Sequence, residues 1–419
     1  MADDWLTATG TRSKGSGRAP STPSLALWLR VRYRLTPWWV KVLVIFVVSR
    51  VVTTTLMLAK AAEQGANAWT GAHPGYFDFA SIWDGNWYYI IAVAGYPSEL
   101  PVTEAGTIGE NAWAFMPIYP GIVRGLMAIT GLDFAVVAVL VSVVFALATA
   151  LMFYRLMHLV LPAGTALFAV VLYCFAPLSP ILQVAYAESL FAFLLTLSLY
   201  LLVTRRYSLL IASVAAMSLT RPGALAFALA LGVHVIIRWV KRNSDPFPVG
   251  ERVASVIATF AAGIAGLTWA GIAWLVTGSL TAYTDTELAW RIPYVGDLGL
   301  VPFLPWIQGA NFWVPNGWGP ALLLLAVVLF ATFMFSPWVR RLGIDIRLWV
   351  GSFALYILAV FFPQSSTFRI LFPVFPLLGA VAQPKSPIYR VLVVAAFIAL
   401  QAGWIHIAWW VDGIDWTPP

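Results

Sequence analysis

The sequence predicts an all-α polytopic membrane protein with about eleven transmembrane helices and a long first outer loop. Three observations carry this. The chain is 61% hydrophobic and only 10% charged over 419 residues, where a soluble domain is roughly one quarter charged, so its surplus apolar surface needs a solvent other than water. Many windows exceed the roughly 18 apolar residues that mark a membrane-spanning helix. The basic residues, finally, alternate between loops in step with repeated crossing. The 21 tryptophans and 15 tyrosines suit the same solvent, because amphipathic rings collect at the headgroup level.

In chain order, residues 1–38 read as a basic, partly disordered cytoplasmic tail. It is rich in Gly, Ser, Thr and Pro and carries Arg12, Lys14, Arg18, Arg30, Arg32 and Arg34. No small-residue cleavage site stands where a signal peptide needs one. A single transmembrane domain is expected over 39–411. Its first span is 39–60, and 61–132 forms the first outer loop. Spans follow near 134–157, 164–182, 187–204, 207–220, 222–239, 253–277, 319–336, 348–363, 369–383 and 391–411, with a second large outer loop at 278–318 and an outer tail at 412–419.

The distribution of Lys and Arg tests that layout. With the N-terminus inside, the cytoplasmic positions collect the tail through Lys41, then Arg155, Arg205, Arg206, Arg238, Lys241, Arg242, Arg252, Arg340, Arg341, Arg347, Lys385 and Arg390. Left outside or within the membrane are Arg50, Lys60, Arg124, Arg221, Arg291 and Arg369. The pattern requires that 115–132 (FMPIYPGIVRGLMAITGL), broken by two prolines and Arg124, lie as a short helix on the outer membrane surface. If it spanned, every later basic loop would face outward. The net charge of +7 follows from this orientation and calls for no nucleic acid. Cys174, the only cysteine, lies in an apolar run, so no intrachain disulfide is possible. The four histidines are scattered, and no metal site is expected.

Charged residues at the outer side are costly and tend to mark function. Arg221 sits in SLTRPGALA, where Pro222 opens the next helix; Arg369 sits in FFPQSSTFRILFPVFP; Arg291 follows Trp290 in the second outer loop. Guanidinium forks match phosphate oxygens, so the three would suit a lipid-linked phosphate. Each is equally readable as a helix cap or as the partner of a carboxylate. Glu188 (QVAYAESLFAFL) either favours its helix N-terminus or meets a sugar hydroxyl or an arginine, and Asp285 (LTAYTDTELAW) is as easily a solvated loop residue. In FDFASIWDGNWYYIIAVAGYP (77–97), Trp83, Trp87, Ile90, Ile91 and Ala94 form a stripe at helical spacing. Asp84 and Tyr88 share a face, four residues apart. A partly desolvated carboxylate there could act as a general base toward a hydroxyl, or Asp84 could face water from an interfacial helix.

WDGNWYYIIAVAGYP followed by NAWAFMPIYPGIVR (Asn111–Arg124) resembles the first outer loop of PIG-V-type mannosyltransferases, members of the GT-C superfamily of polyprenyl-phosphate-sugar-dependent glycosyltransferases. The resemblance continues, in the family's order, through YAESLFAFL, LTRPGALAFAL, AYTDTELAW and SSTFRILFPVFPLL, covering about residues 40–385. It implies that Asp84 is the catalytic base and that the loop helices lie along the membrane. The donor would be a polyprenyl-phosphate mannose, and the reaction would invert the anomeric centre. Arg221, Arg369 or Arg291 would meet the leaving phosphate, so that no metal or other cofactor is required. Trp83, Trp87, Tyr88, Asn111, Glu188, Asp285 and Trp290 would line the sugar or acceptor. Composition and brevity point to a bacterial, actinobacterial member working at the extracytoplasmic face of the plasma membrane. Bacteria lack the family's eukaryotic acceptor, so a phosphatidylinositol mannoside, lipoglycan, other glycolipid or protein stays open. Two other classes compete: a transporter or flippase of lipid-linked sugars, which would favour internal repeats and midplane polar residues, and a non-catalytic assembly subunit, in which Asp84 would be dispensable.

Overall fold

Helices stand at ten of the eleven positions where apolar runs predict spans: Trp38–Glu63, Phe134–His158, Ala163–Phe175, Glu188–Val203, Tyr207–Ser218, Ala224–Val240, Val249–Thr277, Trp318–Met334, Ile344–Val360 and Pro387–Trp404. The computed structural model describes residues 32–296, 299–314, 316–411 and 418–419, so the expectations for 1–31 and 412–417 lie outside the described residues. Among the described residues there is no strand, only an isolated bridge between Val102 and Ile108. The chain divides after Lys41 into two units, and the candidate site belongs wholly to the larger one, which begins at Val42. Four helices, Trp38–Glu63, Phe134–His158, Val249–Thr277 and Pro387–Trp409, are long and apolar enough to cross a membrane. The other apolar helices are shorter, and the architecture is consistent with a polytopic membrane protein.

The expected span at 369–383 is not one helix. It is a turn of helix at Thr367–Ile370, a 3-10 segment at Phe372–Leu377 and a further turn at Leu378–Val381. Pro373 and Pro376 remove backbone donors and clash with the preceding turn, so a continuous α-helix cannot form. Residues 115–132 do contain a short helix, Ile118–Thr130. At 1.5 Å per residue it is about 20 Å long, well short of a roughly 30 Å hydrocarbon core. It ends at Gly131 in the left-handed region (φ 70°), the usual helix stop. Its inner edge, Tyr119, Pro120 and Val123, is buried, and the Tyr119 hydroxyl donates to the Ala138 carbonyl at 2.9 Å.

Two sets of helix pairs frame the site. Phe134–His158 packs along Glu188–Val203, while Ala224–Val240 packs against both Val249–Thr277 and Ile344–Val360. The second set approaches closely at Gly266, where a Cβ would stand 2.7 Å from the Leu225 side chain and 3.0 Å from its backbone nitrogen. Arg50, in the first long helix, is structural. Its guanidinium donates to the carbonyls of Ser179 (3.0 Å) and Cys174 (2.8 Å), to Gln183 Oε1 (2.9 Å) and to the Ser179 hydroxyl. It thereby pins that helix to the 3-10 turn Ser179–Gln183, which leads directly into Glu188. The helix breaks at 176–187, 219–223 and 361–377 supply Glu188, Arg221 and Arg369 to one place.

Candidate active site

A cavity of about 340 Å³ lies between the segments 61–132 and 278–318 and these breaks. Its polar wall holds Asp84, Tyr88, Glu188, Arg221, Glu287, Trp290, Arg291 and Arg369, and its apolar wall includes Leu225, Phe353, Ile357, Val360 and Phe361.

Asp84 opens the helix Asp84–Ala94. The residue before it, Trp83, adopts φ 59°, a conformation that costs a non-glycine residue about 1–3 kcal/mol and persists only where its surroundings impose it. Here the Trp83 indole donates to the Trp409 carbonyl at 3.0 Å and its ring meets Trp69 at 5.6 Å. The Asp84 backbone N–H donates to the Tyr186 hydroxyl at 3.2 Å. The helix buries Gly85, Tyr88, Ile91 and Ala92 and exposes Tyr89, Ile90 and Val93. Of the apolar stripe through Trp83, Trp87, Ile90, Ile91 and Ala94, Ile90 and Ala94 are exposed, Trp83 and Trp87 are half-buried and Ile91 is buried. In a helix apolar nearly all round, packing rather than hydropathy chooses the buried face. Asp84 and Tyr88 do share the cavity face.

Asp84 does not face bulk water. Its side chain is 12% exposed and one oxygen bonds Arg369 Nη1 directly, a contact spanning 285 residues of sequence. The same Arg369 Nη1 lies 3.1 Å from Glu188 Oε1, which in turn lies 2.8 Å from Arg221 Nη1. Two carboxylates and two guanidiniums thus form one chain, Asp84–Arg369–Glu188–Arg221, with balanced charge. Arg369 also lies over the Tyr186 ring, 5.2 Å from its centroid. Burial pushes the Asp84 carboxyl up, Arg369 opposes that, and Glu188 adds to it. Three residues of the wall carry a buried polar atom without a partner: Arg369 Nε, Glu188 Oε2 and Trp290 Nε1. Buried polar atoms are seldom left unpaired, so the wall has capacity for a polar ligand.

The segment 278–318 closes the cavity with the helix Ala282–Ala289. Its 3.6-residue period puts Tyr283, Thr284, Glu287 and Leu288 on the cavity face and turns Asp285 away from it. Glu287 carries accessible surface because it faces the cavity, yet protein surrounds it. Burial pushes its carboxyl up to about 7, against the opposing effects of a hydrogen bond with Tyr283 and the charge of Arg221. Among the described residues it forms no ion pair. Asn111 fastens this helix to the first loop: its amide donates to Thr286 Oγ1 at 2.9 Å and to the Gly109 carbonyl at 3.0 Å, while Oδ1 accepts from the Trp113 N–H at 3.0 Å.

Seven of the residues singled out in the sequence therefore meet at the cavity: Asp84, Tyr88, Glu188, Arg221, Trp290, Arg291 and Arg369. Four do not line it. Trp83 is turned to Trp409, Asn111 is consumed as a clamp, and Asp285 is on the far side of its helix. Trp87 stacks on Phe115 at 5.8 Å and meets Trp290 edge-on at 6.0 Å, so it props the wall from behind. Arg291 donates to the Gly299 carbonyl. Glu287 escaped the sequence reading, although its place four residues after Tyr283 in AYTDTELAW, on one helix face, was the available signal. No protein-family model matches the chain, and no curated protein matches it.

Proposed function

We propose that the chain is a PIG-V-type mannosyltransferase of the GT-C class, crossing the plasma membrane about eleven times with its N-terminus in the cytoplasm. It moves mannose from a polyprenyl-phosphate mannose to a glycolipid or other lipid-linked acceptor at the extracytoplasmic face. The observation that carries this reading is the meeting, in one cavity, of Asp84 with Arg221, Arg291 and Arg369. A carboxylate base next to anion-binding guanidiniums is what transfer from a phosphate-linked sugar needs. Asp84 takes the acceptor hydroxyl's proton as that oxygen attacks the anomeric carbon. The bond from that carbon to the phosphate oxygen breaks on the opposite side, and the prenyl phosphate leaves with its charge met by arginine. Inversion follows from the single displacement. The apolar wall formed by Leu225, Phe353, Ile357 and Val360 suits a prenyl chain.

The test is sugar transfer by purified protein given polyprenyl-phosphate mannose and a glycolipid extract, wild type against Asp84→Asn. Transfer by the wild type and a loss of at least about a hundredfold in the variant are expected. Equal transfer by both would remove Asp84 from this role. No transfer by either, together with movement of the donor across liposomes, would make the protein a flippase of lipid-linked sugars. Arg221→Ala and Arg369→Ala should weaken donor use more than acceptor use.

A further inference from the structure

Asp84 presents a contradiction as a base. A carboxylate bonded to a guanidinium is a poor proton acceptor, because the arginine stabilises the charge that protonation would remove. Arg369 is nevertheless not wholly committed to Asp84. Glu188 Oε1 holds the same Nη1 from another side, and the Arg369 Nε is buried without a partner, in a residue 8% exposed. Arg221, 15% exposed in its side chain and lining the same cavity, is held at one nitrogen by the same oxygen of Glu188. Glu188 is therefore the fixed anchor of both arginines, and Asp84 is the exchangeable partner of one.

We infer that the phosphate of a prenyl-phosphate ligand and the Asp84 carboxylate compete for Arg369, so that seating the phosphate releases Asp84 to act as the base. This rests on the glycosyltransferase reading and adds an order to it: the lipid-phosphate donor binds first, and the acceptor hydroxyl is activated only afterwards. No covalent bond changes in the exchange. One oxyanion replaces another on Arg369, while Glu188 keeps the arginine in place. The released carboxylate faces Glu188 and Glu110, whose charges oppose its own, and Glu287, whose carboxyl keeps its proton below about pH 7. Arg221, shared with the phosphate, and the hydroxyls of Tyr88 and Tyr186 are its remaining polar surroundings. Its affinity for a proton rises accordingly.

The sign of one variant is diagnostic. In the full-length protein, calorimetric titration with a short-chain prenyl methyl phosphate, a diester with no group titrating near pH 6 as the monoester has, in two buffers of different ionisation enthalpy at that pH, reads affinity and proton uptake together. Wild type should take up a fraction of a proton. Asp84→Asn should take up less and should bind about tenfold tighter, because the competitor is gone; tenfold corresponds to about 1.4 kcal/mol. Glu188→Gln makes the same change in net charge, so tightening by that variant to the same extent would mean the cavity's field alone is responsible, and the exchange would be overturned. Unchanged or weaker binding by Asp84→Asn, equal proton uptake in both proteins, or no binding by wild type would overturn it as well. Sugar transfer without the exchange signature leaves the transferase reading intact. The signature without transfer supports the exchange and removes the transferase reading.

Discussion

Replacing Glu188 by glutamine should destabilise the fold more than any other isosteric change at the cavity. Glu188 is 1% exposed, and its Oε1 holds Arg221 at 2.8 Å and Arg369 at 3.1 Å. The amide keeps the shape and a carbonyl oxygen for those donors but not the charge. At an effective dielectric near 20, two unit charges 4 Å apart attract by about 4 kcal/mol, and breaking a buried pair from one side costs about 3–5 kcal/mol. Asp84 still balances Arg369, and Arg221 touches the cavity, so the low end applies, about 3 kcal/mol. With an unfolding entropy of about 2.1 cal/mol/K per residue, that lowers the melting temperature of a chain this long by roughly 3 °C. Cys174, the only cysteine and fully buried, makes the assay simple: a thiol-reactive dye reports unfolding without an engineered label. Adding Arg221→Met removes the cation left without its countercharge and should restore most of the loss. A Glu188→Gln protein melting within about 1 °C of wild type would refute the anchoring role, as would a double variant less stable than the single one.

Two further outcomes concern the helix Ala282–Ala289 and its fastening. The Glu287 carboxyl titrates at about 7 in the folded protein against 4.5 as its ordinary value. The native state therefore holds a proton that the unfolded chain has released, and stability falls as pH rises through that window. Melting temperatures recorded from pH 4.5 to 7.5 should decline less steeply in Glu287→Gln, and an unchanged slope would place the titration elsewhere. Asn111→Ala should cost about 1–3 kcal/mol through the unpaired Thr286 hydroxyl and Trp113 N–H. It should also raise KM by freeing the helix that carries Glu287, and unaltered kinetics and melting would show that the clamp is dispensable.

Much of the helical layout was legible because a spanning helix is a local property: an apolar run long enough for its solvent declares itself without reference to its neighbours. The short helix at Ile118–Thr130 was legible too, since Pro117, Pro120 and Arg124 interrupt its run. The segment at 369–383 reads as one helix by hydropathy although Pro373 and Pro376 are in view, and its backbone chemistry breaks it into short turns. Within the site, Asp84, Glu188, Arg221 and Arg369 stood out as charges in costly places. The same reasoning picked Asp285 where the cavity takes Glu287, because a helix phase set by tertiary contacts decides which of two acids two residues apart turns inward.

By itself the sequence determined where helices form and which charged residues the apolar solvent makes expensive, since both depend on composition within a window of residues. Only the tertiary structure decided that Arg369 reaches Asp84 and Glu188, that Arg221 shares Glu188 with it, and that Arg50 and Asn111 are fasteners. Those pairings depend on which helix breaks meet, and a break at Pro222 or Pro373 records nothing about the break it will face. Proximity among packed helices is set by the whole set of contacts at once, so spacing along the chain cannot encode it.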